Sequence, residues 1–426
     1  MTMSLSRRET LAFCAGLTYS MCPSLTSGSP IPGPTHATGT VPAFKRGINT
    51  WPWFSLTREY PAPRTDYAWP PYQEHRAVPS ARDLARLAAA GFDFIRLPVD
   101  PGPFLDASPE HRAILLDALL DAVKQAHAAG LGVIVNVQTN EATHFWNSRT
   151  LVSGTAAPKF ASYRSLVAAF AKSLAGLGLP RLALEPVNEP PQECVSSSWS
   201  AVQIALLDAA RAAAPHFTLV ATGACGSMVR GLDALDPAPL QRFQPLLFTF
   251  HFYEPYLFSH QGAPWLHEPV YRALNGLPWP GSAGTLDATL AAVRAHMEAD
   301  TGISSEAKRE AYAVTERLMA QYFEANPGRP FIDGYLDTVS AWSQRHSIAK
   351  DHILMGEFGA VKTTWRFTAA RDADRVRYIR DVRESAEAHG FAWAFWNLFD
   401  SMGLMDDTSR AMDAEVIAAL GLEMPR

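Results

Sequence analysis

The sequence predicts an α/β fold closed into a TIM (β/α)8 barrel, and three observations predict it. From residue 44 onward, short apolar runs rich in Ile, Val, Leu and Phe alternate with longer amphipathic stretches, the pattern of parallel strands joined by crossover helices. The runs number eight, as a barrel of this kind requires. The segment after the first run reads Asn49-Thr50-Trp51-Pro52-Trp53, unlike the glycine-rich phosphate loop that usually follows the first strand of an open doubly wound sheet.

The expected strands cover 44–49, 92–98, 132–137, 181–187, 218–222, 246–251, 352–356 and 391–396. Helical periodicity lies between them at 80–90, 109–129, 160–174 and 198–213. After the sixth strand it continues at 286–299 with 306–325, then 333–344, and after the seventh at 371–389. A last amphipathic stretch at 413–420 supplies the closing helix. Long loops rich in aromatic residues and proline follow the first and sixth strands, and no second domain interrupts the pattern.

The division expected is a leader, 1–40, and one barrel domain, 41–426. Ser6-Arg7-Arg8 stands before a short apolar stretch from Leu11 to Met21 and then a Pro/Gly/Ser/Thr-rich stretch, which resembles a twin-arginine export signal. Thr10 stands where such signals usually carry Phe, and Thr35-His36-Ala37 is the candidate cleavage region. The expectation is a protein exported to the periplasm or the medium. No apolar run reaches the roughly 20 residues of a spanning helix, so no stable membrane insertion is expected.

Hydrophobic residues make up 47% and charged residues 19% of the chain, enough to bury a sizeable core. The formal net charge of −5 carries no basic excess of the kind nucleic acids recruit. Aromatic residues reach 11%, including 11 Trp, and flat aromatic faces suit the apolar faces of sugar rings as well as a core. Of the 4 cysteines, Cys14 and Cys22 lie in the leader. Cys194 and Cys225 fall just beyond adjacent predicted strands, where they either bridge two loops in an oxidising compartment or stay as separate thiols.

A barrel assembles its site at the C-terminal ends of its strands. There the sequence places Asn49, Arg96, Asn136, Gln138, Asn188, Glu189, His251, Tyr253, Glu357 and Trp396. Glu189 and Glu357 follow the fourth and seventh strands and so face each other across the mouth, the arrangement that glycosidic bond cleavage requires. The strand ends do not gather the His and Asp ligands of a metal-dependent hydrolase, and no cofactor is expected.

These residues resemble glycoside hydrolase family 5, the cellulase-type retaining glycosidases, over roughly residues 44–422 and in strand order. LALEPVNEPP at 182–191 is similar to the family's Asn-Glu-Pro segment, and LMGEFGA at 354–360 to its seventh-strand segment. The resemblance implies that Glu189 is the general acid/base and Glu357 the nucleophile. It also implies that Arg96 of FIRLPV, His251 and Tyr253 of FTFHFYEP, and Trp396 of AWAFWN are the family's site residues at the second, sixth and eighth strands. YLFSHQGAPW at 256–265 is similar to bacterial members. One position departs: where the family usually carries a His near the third strand end, this chain has Asn136-Val137-Gln138, so Gln138 meets substrate without a charge.

Chemistry gives each residue a reason. A nucleophilic carboxylate must be ionised, and Arg96 with the Tyr253 phenol would hold Glu357 so. Glu189 must carry a proton at first and release it once Glu357 is esterified. Asn188 is placed to meet a sugar 2-hydroxyl and Trp396 to form a floor for the ring. Glu185 reads as a structural charge pairing with Arg96. Trp51, Trp53, Trp146, Trp265 and Trp365 lie in mouth loops, as subsite walls or as loop packing. The expected activity is hydrolysis of a β-glucan or related β-linked polysaccharide by double displacement. The alternatives are a transglycosylase and a catalytically silent carbohydrate-binding barrel.

Overall fold

The computed structural model describes residues 41–263, 265–266, 268, 271, 273–364 and 368–425. The leader and Trp365 lie outside the described residues. Strands β1 (Arg46–Asn49), β4 (Phe94–Val99), β5 (Gly132–Val137), β6 (Leu182–Glu185), β7 (Thr218–Thr222), β8 (Leu246–Phe252), β9 (Ile353–Phe358) and β10 (Ala392–Phe395) form a closed barrel in that order. Every neighbouring pair is parallel, and β10 closes on β1 through Arg46 opposite Trp393.

Two-residue periodicity sorts each strand into an outer and an inner set. The outward residues, such as Ile95, Leu97, Val133, Val135 and Leu184, join the main core beneath the helices. The inward residues Phe94, Ile134, Ala183, Val220, Leu247, Leu354 and Ala394 form a second, enclosed cluster plugged at one end by Phe44. The Phe44 and Phe94 rings meet edge to face at 5.1 Å. Gly47 makes room for them, since a Cβ there would stand 2.2 Å from the Phe94 ring.

Two residues further along β4 to β8 the interior turns polar. Phe94 gives way to Arg96, Ile134 to Asn136, Ala183 to Glu185, Val220 to Thr222, and Leu247 to Thr249 and then His251. All of these polar residues are buried. The apolar layer therefore closes the bottom of the barrel, and the polar layer above it is the foundation of whatever the mouth does.

The helices start where local chemistry dictates. Ser80 and Asp83 form a reciprocal capping box for Ala81–Ala90, which Gly91 ends in the left-handed conformation. Ser108 caps Pro109–Ala128, and Asp413 caps the closing helix Ala414–Ala419. Helix Arg329–Arg345 begins before the expected 333, because Pro330 sits in its first turn, where its missing N–H costs nothing.

Three features differ from the sequence reading. An antiparallel hairpin, β2 (Thr57–Glu59) with β3 (Tyr67–Tyr72), occupies the first connection; the prolines in Tyr-Ala-Trp-Pro-Pro-Tyr break the apolar alternation that would have announced it. The connection from β7 to β8, where the sequence offered no helical segment, holds the short helix Val229–Asp233 and the 3-10 turn Ala238–Phe243. Strand β6 stops at Glu185, because Pro186 supplies no N–H to extend the ladder. No helix among the described residues is long and apolar enough to cross a membrane.

Candidate active site

The polar layer is organised by one guanidinium. Arg96, fully buried on β4, grips Glu185 of β6 with two parallel bonds, Nε to Oε2 at 2.7 Å and Nη2 to Oε1 at 2.8 Å. Its Nη1 donates to Asn49 Oδ1 at 2.8 Å and to Glu357 Oε1 at 2.7 Å, and Nη2 donates to Asn188 Oδ1 at 2.7 Å. Burial alone lowers the guanidinium's pKa, but the charges of Glu185 and Glu357 outweigh it and carry it above its ordinary value. Arg96 is therefore a permanent cation inside the barrel. Glu185 has the structural role read for it in the sequence: it balances the charge that Arg96 brings to Glu357.

Glu357, at the end of β9, is 4% exposed. Its Oε2 accepts a hydrogen bond from the Tyr253 hydroxyl at 2.9 Å. Burial raises the carboxyl above its usual range; the positive charge beside it, Arg96 above all, and the Tyr253 bond oppose that rise, and Glu189 adds to it. The Tyr253 phenol is pushed well up, first by burial and then by the charges of Glu357 and Glu189, so it keeps its proton and acts as a donor. Gly359 is required next to this strand end, because a Cβ would meet the Trp396 carbonyl oxygen at 2.3 Å.

Glu189 approaches from the loop after β6 with φ of 40°, a conformation side chains seldom adopt, and its side chain is 32% exposed. Its Oε1 lies 3.1 Å from His251 Nδ1, which is itself 3.6 Å from Glu357 Oε2. The other ring nitrogen, Nε2, faces Arg96 Nη2 at 3.5 Å. Since a guanidinium only donates, Nε2 is the lone-pair side of the neutral ring, and Nδ1–H donates to Glu189.

Oxygens of Glu189 and Glu357 and a ring nitrogen of His251 all lie within 4.8 Å of one another. That spacing would also suit a cation, but Glu357 is already held between a guanidinium and a phenol, and a fixed positive charge stands where a metal would be repelled. Two carboxyl groups this close match the separation of roughly 5 Å found where one attacks a sugar carbon directly, rather than the wider gap that accommodates a water.

Trp396 follows β10 with its ring 6.4 Å from that of Trp51, and both are half-buried. Trp265 is exposed, whereas Trp53 and Trp146 are buried. Trp53 stacks on Phe54, and Trp146 packs against Phe145 and donates to the Thr65 carbonyl at 2.5 Å. These two are loop packing and not subsite walls. Gln138 is half-buried at the end of β5, and its Oε1 has no hydrogen-bond partner; neither amide atom of the fully buried Asn136 has one.

Cys194 and Cys225 are joined in a disulfide between the loops after β6 and β7. One residue near the mouth escaped the sequence reading. Asp100, beyond the end of β4, accepts from Gly102 N at 2.9 Å and from Thr57 Oγ1 at 3.4 Å, and burial pushes its carboxyl up to about 7. Its only signal in the sequence is its place one residue past the strand.

The profile of the cellulase family (glycosyl hydrolase family 5) matches residues 64–401. The chain belongs to this family. The curated relative Endoglucanase 3 of Fibrobacter succinogenes is 22% identical over 229 residues, which is 53% of this family 5 chain and 31% of that protein. The chain's match thus spans about a third of the relative's length. Among solved structures, the cellulose synthase subunit Z of Clostridioides difficile superposes with a TM-score of 0.62 at 19% identity, over 88% of this chain and 99% of that one. Thermotoga maritima Cel5A in complex with cellobiose gives 0.62 at 16% identity, over 89% and 97%. A family 5 xyloglucanase from Paenibacillus pabuli gives 0.60 at 15% identity, over 89% and 98%. At these identities the structural likenesses establish the family 5 fold alone.

Proposed function

We propose that this family 5 protein is a retaining endo-β-glucanase that cleaves a β-linked glucan by double displacement. The observation that carries the reading is the pair of carboxylates, close together and unequally housed. Glu357 is buried and fixed by Arg96 and Tyr253 as the nucleophile. Glu189 is one-third exposed and held by His251 as the acid/base.

In the first step a Glu357 oxygen bonds to the anomeric carbon while Glu189 gives its proton to the departing glycosidic oxygen. Esterification removes the negative charge of Glu357, so Glu189 then holds a proton less tightly and serves as base for the entering water. Asn188, whose Oδ1 is occupied by Arg96, offers its amide N–H2 to the sugar, and Trp396 offers a ring face. Gln138 supplies an uncharged contact in place of the usual histidine. One structural relative bound to cellobiose and another that is a xyloglucanase favour a β-glucan chain as the substrate class. The Arg7-Arg8 leader and the disulfide both suit export to an oxidising compartment.

The test is incubation with soluble β-glucans, xyloglucan and β-mannan, following reducing ends and the anomer released, with Glu357→Gln as control. Initial β-anomer from a glucan, lost in the control, is the expected result. Inversion, or unchanged activity in Glu357→Gln, would overturn the reading.

A further inference from the structure

The acid/base residue sits at the start of a loop that turns out over the surface. Glu189 has a positive φ, a backbone state that side chains seldom adopt and that persists only where the surroundings enforce it. The segment that follows it runs over the surface, with Glu193 exposed and Val195 exposed at 85%. Asn188 and Pro190 on either side of Glu189 are buried, so it is the exposed stretch beyond Pro190 that needs a separate anchor.

The enforcing element is the short loop after β7, residues 225–228. Cys225 is bonded to Cys194 through sulfur, its N–H donates to the Gln192 carbonyl at 2.8 Å, and Gly226 N–H donates to the Pro190 carbonyl at 2.9 Å. Two residues on, the buried Ser227 carbonyl accepts from His251 N at 2.7 Å, and Met228 bridges to the same His251 backbone. Thr222 Oγ1 donates to Ser227 Oγ at 2.8 Å and fixes the loop to its own strand. One loop thus grips both the backbone that follows Glu189 and the backbone of His251, whose Nδ1 lies 3.1 Å from the Glu189 carboxylate.

We infer that the Cys194–Cys225 disulfide is a positioning device for general acid catalysis: it clamps the Glu189 loop to the loop that holds the His251 backbone, and so sets the aim of the acid/base. The inference rests on the reading of Glu189 as acid/base. Both cysteines are half-buried, so a small dithiol has access to the bond. The dithiol is oxidised to its own disulfide, and its two electrons and two protons convert the bridge to two thiols.

The test compares the oxidised protein, the dithiol-reduced protein and a Cys194→Ser/Cys225→Ser variant on two substrates. One is a cello-oligosaccharide, whose sugar leaving group needs protonation. The other is a 2,4-dinitrophenyl β-cellobioside, whose phenolate leaves without it. Because kcat/KM reports the step up to the first bond cleavage, the expected result is a fall of roughly 10- to 100-fold on the oligosaccharide, the scale of a misplaced catalytic group. On the activated substrate kcat/KM should change less than about twofold, because its cleavage draws nothing from general acid catalysis. On that substrate kcat should fall, because the glycosyl-enzyme then waits for water without a well-aimed base, and added azide, which needs no base, should restore it.

Unchanged rates on both substrates would overturn the inference. An equal fall on both, or loss of the folded circular dichroism spectrum on reduction, would assign the bond to stability and overturn it as well. If the oxidised protein cleaved neither substrate, the enzymatic reading itself would fail, and that outcome is distinct from the other three.

Discussion

Tyr253→Phe isolates one bond in the network around Glu357, the nucleophile in the proposed reaction. The Tyr253 hydroxyl donates to Glu357 Oε2 at 2.9 Å, and the ring packs edge-on against His260 at 5.1 Å, so the substitution removes the donor and keeps the packing. A hydrogen bond to a charged group contributes roughly 1.5–3 kcal/mol, and that energy here favours the ionised form of Glu357. Burial already raises the Glu357 carboxyl. Losing a donor to the carboxylate raises it further, so the acidic limb of the kcat/KM profile should move to higher pH.

At a fixed pH on that limb, the variant should fall about 10- to 100-fold below the wild type, the factor corresponding to the energy of the bond. On the plateau, where both proteins are ionised, the difference should be much smaller. The assay is initial rates on an activated aryl cellobioside across pH, which keeps proton donation by Glu189 out of the first step. An acidic limb that stayed in place, or moved to lower pH, would refute the assignment of Tyr253 as a donor that keeps Glu357 charged.

Other expectations follow from the same geometry. Replacing Arg96 with Met strands Glu185 and Glu357 in the barrel without a counter-charge, and should destabilise the fold by about 3–5 kcal/mol in thermal or denaturant unfolding; unchanged stability would contradict a network built on one cation. Phe94→Ala empties the apolar layer beneath the site and should cost about 3–5 kcal/mol by urea titration. For Asp100, burial lifts the folded pKa to about 7, so the native state holds a proton that the unfolded chain has released above about pH 4. Its contribution to stability therefore falls as pH rises from 4 to 7. Asp100→Asn should be more stable than the wild type at pH 8 by on the order of a few kcal/mol and no different at pH 4. A gain confined to acid pH would reverse the sign and refute it.

The barrel was legible because its signal is local. The residues that alternate between the outer core and the inner plug, such as Ile95 with Phe94 and Val133 with Ile134, are neighbours in sequence, and their period appears without knowing any partner. The strand-end residues were legible for the same reason: Glu357 and Asn188 end apolar runs.

What the sequence hid depends on partners far along the chain. Trp53 and Trp146 look like Trp51 and Trp265 in a list of mouth-loop tryptophans, and only the contacts with Phe54 and Phe145 separate packing from exposure. Asp100 gains its buried setting from the hairpin that carries Thr57, 43 residues earlier. The Glu185–Arg96 pair spans 89 positions; it could be foreseen because both residues point inward from strands of one barrel. The disulfide was one of two open outcomes, since adjacent strand ends bring Cys194 and Cys225 near each other without fixing whether their loops meet.

The central claim is that Glu357 forms a covalent bond to the sugar. The most direct measurement is mass spectrometry of the protein after incubation with a 2-deoxy-2-fluoro-β-cellobioside bearing a dinitrophenyl leaving group, followed by peptide mapping. One added fluorocellobiosyl group is expected, carried by the peptide that contains Glu357 and absent from Glu357→Gln. A label on another carboxylate, or continued hydrolysis of β-glucan with no covalent adduct, would contradict it.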